Sequence, residues 1–150
     1  MKDHSQIIEL IGRIIHKYNQ WDNKKRTYGT DIPLTKAEIH TIAAVGDHPG
    51  INITTLAQVL GVTKGAASQM IYRLVDKGTV EKKVSPDSDT EVVLSLTGDG
   101  QINYQTHQAY HQEGNDTAQK LLEEMPDALY TSMVAYLTAF EASIDEKLKE

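Results

Sequence analysis

The stretch Ile53-Thr54-Thr55-Leu56-Ala57-Gln58-Val59-Leu60-Gly61-Val62-Thr63-Lys64-Gly65-Ala66-Ala67-Ser68-Gln69 decides the fold. Leu56, Ala57, Val59 and Leu60 bunch at helical spacing, so a short helix is expected, opened by Thr54 or Thr55 and stopped by Gly61. Thr63 is placed to cap a second helix, with Ala67, Met70, Ile71, Leu74 and Val75 as its buried face. Ala57 is small where the two helices would cross, Gly61 permits a sharp turn, and Val62 is expected to plug the gap between them. Lys77-Gly78 then ends the second helix with a cation in its last turn and a glycine just past it.

Upstream, Leu34-Thr35-Lys36-Ala37-Glu38-Ile39 reads as a helix start. Thr35 and Glu38 form a capping-box pattern, and Leu34 and Ile39 a hydrophobic staple, for a helix to about Val45. Farther upstream, Ile7, Ile8, Ile11, Ile14, Ile15 and Tyr18 mark one stripe of a helix over roughly residues 6–23, followed by a polar loop over 24–31. Downstream, Thr79–Val84 and Glu91–Leu96 are two β-rich runs around a six-residue turn segment, a hairpin pattern. Thr97 is placed to cap a long polar helix to about Glu124, and Pro126 starts a last one striped by Leu129, Met133, Leu137, Phe140, Ile144 and Leu148. The expected fold is mainly α with a small β-wing: a winged helix-turn-helix core with N- and C-terminal dimerisation helices. The division is 1–33 for the N-terminal helix and loop, 34–97 for the winged helix-turn-helix, and 98–150 for the C-terminal helices. The long apolar stripes at both ends want a partner, and a second copy of the chain fits, so a homodimer is expected.

Composition bounds the chemistry. A chain of 150 residues with 39% hydrophobic content can bury a core, and the lack of cysteine excludes disulfides, thiolate metal sites and thiol redox switches. No apolar run reaches the roughly 20 residues needed to span a bilayer, so a soluble, cytoplasmic protein with no membrane partner is expected. The sequence contains no HExxH motif, P-loop or nucleophile elbow, so no enzyme is expected. A net charge of -6 weighs against nucleic acid until it is mapped along the chain. Residues 98–150 alone carry three basic and ten acidic side chains, whereas 35–97 carry six and seven. The acidity lies away from the recognition helix. That helix offers Thr63, Lys64, Gly65, Ser68, Gln69, Tyr72 and Arg73 on its solvent side, with Gln69 able to read adenine and Lys64 able to reach guanine or phosphate in double-stranded DNA. Lys82 and Lys83 of the hairpin suit the phosphate backbone. A winged helix used for protein interaction is the competing reading of this module.

The ordered set of Leu34-Thr35, the helix-turn-helix, Lys77-Gly78-Thr79-Val80-Glu81-Lys82 and Leu96-Thr97-Gly98-Asp99-Gly100 resembles the MarR family of transcription regulators over nearly the whole chain. The resemblance implies a dimeric DNA-binding regulator on a pseudo-palindromic operator, the terminal helices forming the interface. One departure concerns the wing tip. The family places an Asp-x-Arg type motif there, whereas this chain has Asp87-Ser88-Asp89-Thr90-Glu91, three acids and no base. Either the wing contributes little to affinity, or those acids pair with Lys82 and Lys83.

Six histidines are present, at 4, 16, 40, 48, 107 and 111. His107 and His111 are four apart, so on a helix they project from one face, and their spacing suits a shared metal ion as well as a hydrogen-bonded pair. Their stripe continues through Tyr104, Ala118 and Leu121, which points it inward. Within the MarR family the chain is similar to the zinc-sensing branch that represses zinc uptake. That resemblance implies a metal set of Asp22, His40, His107 and His111, zinc or a similar divalent ion as cofactor, and metal that promotes DNA binding as a co-repressor. The ion would sit between the dimerisation and DNA-binding lobes. The branch's second site falls on Tyr28, Ile39 and Thr106 and is not retained, although Glu38 lies nearby as a ligand or supporting group. His4, His16 and His48 read as ordinary surface residues. The rival regulator reading is a small aromatic or phenolic effector in the same cleft, walled by Trp21, Tyr28 and Tyr104, with no metal.

Overall fold

A computed structural model describes residues 3–150. The order of elements is α1 (Ser5–Asp22), α2 (Lys36–Asp47), α3 (Ile53–Leu60), α4 (Lys64–Asp76), β1 (Val80–Val84), β2 (Val92–Leu96), α5 (Gly98–Glu123) and α6 (Asp127–Leu148). Two compact units emerge, Met1–Ala109 and Tyr110–Glu150, with the boundary falling inside α5. The described residues form six helices with one two-stranded antiparallel wing, a winged helix-turn-helix fold.

In the first unit, the local signals of the sequence act as their chemistry dictates. Thr35 accepts the Glu38 amide at 3.2 Å and Glu38 Oε2 accepts the Thr35 amide at 2.9 Å, which completes the capping box of α2. Thr63 caps α4 by accepting the Ala66 amide at 3.1 Å. Gly61 stands at φ +66°, a left-handed turn that a side chain resists, and so lets α3 end and α4 leave in a new direction. The cap of α3 differs from expectation. Asn52, not Thr54 or Thr55, accepts the Thr55 amide at 2.8 Å, and the helix begins at Ile53. Asn is as good a cap as Thr, and its earlier position leaves both threonines exposed on the first turn.

The core draws on every element around the turn: Leu34, Ile39, Ile42 and Val45 beside α2, Leu56 on α3, Ile71 and Leu74 on α4, and Val80 and Leu94 on the hairpin. Removing each such aliphatic side chain from water contributes about 1.5–3 kcal/mol. Two apolar expectations fail. Val62 is 45% exposed instead of filling the gap, and Val75 is 40% exposed, so the buried face of α4 is Ala67, Ile71 and Leu74 with Met70 at its margin. Ala57, 5% exposed, is buried at the helix crossing as its size suggests.

The hairpin pairs Val80 with Leu96 and Val84 with Val92. Its base is tied down on both sides. The Leu94 amide donates to Ile51 O at 2.8 Å, and Thr97 Oγ1 donates to Gly78 O at 2.6 Å while accepting the Gly100 amide to start α5. The Asn52 amide group also donates to Glu91 Oε1 at 2.9 Å. At its C-terminal end α2 carries the start of α5. The Tyr104 ring lies against Gly46 so closely that a Cβ there would stand 2.6 Å from it, and Tyr104 OH donates to Asp47 Oδ1 at 2.6 Å. That bond to a carboxylate is the main reason the phenol titrates above its ordinary range.

In the second unit, α6 follows a turn in which the Met125 amide donates to Leu122 O, with Pro126 at the N-cap. Neither α6 nor, in the first unit, α1 has a buried residue. No described helix is long and apolar enough to cross a membrane.

Candidate metal centre and nucleic-acid interface

The residues expected to contact DNA stand on α4, the second helix of the helix-turn-helix, and at its N-cap Thr63. Thr63, Lys64, Gly65, Gln69, Tyr72 and Arg73 are exposed, Tyr72 at 69%, and Ser68 is half-buried. Lys82 and Lys83 are exposed on β1, where Lys83 pairs with Glu81 at 2.9 Å. The wing-tip acids do not neutralise these lysines. Glu91 serves Asn52, and among the described residues Asp87 and Asp89 form no ion pair. The wing thus keeps exposed acids at its tip and exposed bases along its first strand, an electrostatic split along about five residues.

Behind the helix-turn-helix, α2 and α5 bring histidines together. His107 is buried on α5, with its ring centroid 5.4 Å from that of His40 on α2, and Tyr28 meets it edge-on at 5.7 Å. His111 follows one turn along α5, and the ligand-capable nitrogens of His40, His107 and His111 all lie within 4.8 Å of one another. Three imidazoles on one tetrahedral zinc ion need N···N separations of about 3.4 Å, given Zn–N bonds near 2.0–2.1 Å, so modest ring rotations bring these nitrogens to an ion. Three imidazole nitrogens are a donor set that fits a borderline divalent metal.

The remaining members of the expected metal neighbourhood are arranged differently. Asp22, the last residue of α1, pairs with the ammonium of Lys36, the first residue of α2. Glu38 is committed elsewhere. It receives Lys77 Nζ at 2.8 Å while Lys77 also donates to Pro33 O, so the pair fastens the start of α2 to the end of α4. Burial pushes the Glu38 carboxyl up, but the bonds from Lys77 and Thr35 outweigh it and hold the group below its usual range. The stripe beyond His111 does not stay inward, since Leu121 is 71% exposed. His48 is an exposed residue whose Nδ1 meets Ala44 O at 2.9 Å.

Asn103 is the residue that sequence reasoning missed. It is fully buried, and its Nδ2 lies 2.9–3.2 Å from Thr27 O, Tyr28 O and Thr30 Oγ1, so α5 holds the α1–α2 loop in place. The loop needs this support because Tyr28 takes φ +46°, which costs a bulky residue conformational energy. The Asn103 Oδ1 is buried with no hydrogen-bond partner among the described residues.

A cavity of about 460 Å³ opens beside α2, lined by Lys36, His40, Leu60, Gln69, Met70 and Arg73 among others. None of Trp21, Tyr28 and Tyr104 lines it. Trp21 instead carries the Arg26 guanidinium 5.1 Å from its ring centroid.

The MarR family model matches residues 31–88, the segment from the loop before α2 to the wing. The Escherichia coli (strain K12) multiple antibiotic resistance protein MarR is 33% identical over 123 residues, covering 81% of this chain and 83% of its own. An uncharacterised HTH-type regulator of Bacillus subtilis (strain 168), YhjH, is 28% identical over 125 residues, covering 74% and 71%. Among solved structures, the zinc-responsive MarR family member ZitR of Lactococcus lactis superposes with a TM-score of 0.74 at 16% identity, over 93% of this chain and 96% of its own. The zinc-dependent regulator AdcR in its Zn(II)-bound state gives 0.75 at 18% identity, over 96% and 99%. At such identities these two structures show a shared fold alone. The identity and coverage of the Escherichia coli relative settle membership: the chain belongs to the MarR family of DNA-binding transcription regulators, a non-enzymatic family.

Proposed function

We propose that the protein is a cytoplasmic, homodimeric repressor that binds a pseudo-palindromic operator and uses zinc, or a similar divalent metal, as co-repressor. The observation that carries the metal reading is the cluster of His40, His107 and His111 nitrogens within 4.8 Å of one another. Asp22, His40, His107 and His111 are the residues that would hold the ion, and when bound it supplies a divalent cross-link among side chains of α1, α2 and α5. DNA contact falls to Thr63, Lys64, Gly65, Ser68, Gln69, Tyr72 and Arg73, with Lys82 and Lys83 on backbone phosphates. His40 lies on the same helix as Glu38, whose bond to Lys77 reaches the end of α4, so a change in the pose of α2 is passed to the recognition helix. The zinc-responsive and zinc-dependent proteins that share the fold support this reading.

The direct test is operator binding by metal-free protein with and without added zinc, for the wild type and a His107→Ala/His111→Ala double variant. Zinc is expected to tighten operator binding by the wild type about 5- to 150-fold, the usual range of allosteric coupling, and to leave the double variant unmoved. Equal operator affinity of the wild type with and without zinc would sink the metal reading and leave the regulator intact. A second reading, a small aromatic or phenolic effector, is favoured by the cavity lined by His40, Met70 and Arg73, because such an occupant would touch the recognition helix directly.

A further inference from the structure

We propose that Lys36 is a built-in competitor for the metal centre, holding the Asp22 carboxylate in the metal-free protein and surrendering it when the centre fills. The inference rests on the zinc reading above. Asp22 Oδ2 pairs with Lys36 Nζ across the junction between the end of α1 and the start of α2. Lys36 and His40 are four residues apart on α2, so they share one face on successive turns, and both line the same cavity. The carboxylate is therefore held by a side chain that shares its helix face with His40 and is not itself a ligand.

The two sides of the pair are unequally sheltered. The Asp22 side chain is 14% exposed and that of Lys36 is 38% exposed. Asp22 is thus the fixed member. The Lys36 ammonium, on its flexible four-carbon stem, can swing into water, where it is strongly hydrated. An ammonium and a divalent cation drawn to one carboxylate also repel each other at close range. Filling the centre through Asp22 then requires breaking the Lys36 pair, and the strength of that pair is subtracted from metal affinity. Lys36 is in this sense a positioning residue that sets the threshold metal concentration.

A double-mutant cycle tests this in the metal-stripped full chain, with zinc titrated against a chromophoric chelator. The Lys36→Met variant is expected to bind zinc about two- to fivefold more tightly than the wild type, the range of a partly exposed ion pair. Asp22→Asn should weaken zinc, and adding Lys36→Met to Asp22→Asn should give no tightening. Lys36→Gln provides a polar replacement if the methionine variant fails to fold. No tightening in the Lys36 variants overturns the proposal, as does equal tightening in both backgrounds, which would mark simple charge repulsion without exchange of the carboxylate. A wild type that binds no stoichiometric zinc would overturn the zinc reading itself, and the competitor role with it.

Discussion

Leu74 of α4 and Leu137 of α6 are the same side chain at the same helical spacing, yet the first is fully buried and the second is 48% exposed. The contrast holds for whole elements. α4 buries Ala67, Ile71 and Leu74 within its own chain, whereas α1 and α6 bury nothing and leave Ile7, Ile8, Ile14, Leu129, Val134 and Leu137 about half exposed. Apolar periodicity states that a face is to be covered, and it says nothing of what covers it. The winged helix supplies its own cover. The terminal helices present theirs, and a second copy is the occupant that the proposed function assigns to them.

The sharpest way to separate the two regions is to delete one leucine from each. Leu74→Ala is expected to lower the unfolding free energy by about 2–5 kcal/mol, measured by denaturant titration, and the loss should not depend on protein concentration. Leu137→Asp should leave the far-ultraviolet circular dichroism of the winged helix in place while converting the protein to a monomer in sedimentation velocity. Operator affinity should then fall about 100-fold, because the second half-site is no longer bound from the same molecule. A Leu137→Asp protein that stays dimeric would break the comparison. The smallest effect belongs to the local cap: Asn52→Ala is expected to cost about 1 kcal/mol in thermal unfolding. It should also loosen the outer end of the wing, since Asn52 holds Glu91 beside the turn, which a Thr54→Ala change should not do.

What was legible in the sequence followed the range of each interaction. The Thr35–Glu38 capping box and the Thr63 cap act over three residues, so composition at fixed spacing determined them. The cap of α3 misled because three cap-forming residues, Asn52, Thr54 and Thr55, stand almost together and only packing selects one. Val62 misled because a hydrophobic residue in a tight turn reads as buried, although Leu34, Leu56 and Leu74 already fill the core. His107 and His111 were paired by helix geometry, but the approach of His40 is tertiary and was expected only from the family resemblance. The Asp22–Lys36 pair joins residues fourteen apart across a loop, and Asn103 hides as one amide in a polar helix. No local pattern announces either.

The contact of Tyr104 with Gly46 has a historical consequence. A methyl group at position 46 would collide with the ring, and shrinking the ring alone would leave a gap beside α2 and an unclaimed Asp47. Either change by itself costs packing at this contact, so lineages that cross between a glycine–tyrosine pairing and a larger–smaller one pass through a less stable intermediate. Across descendants of this gene, positions 46 and 104 should therefore be inherited as a unit.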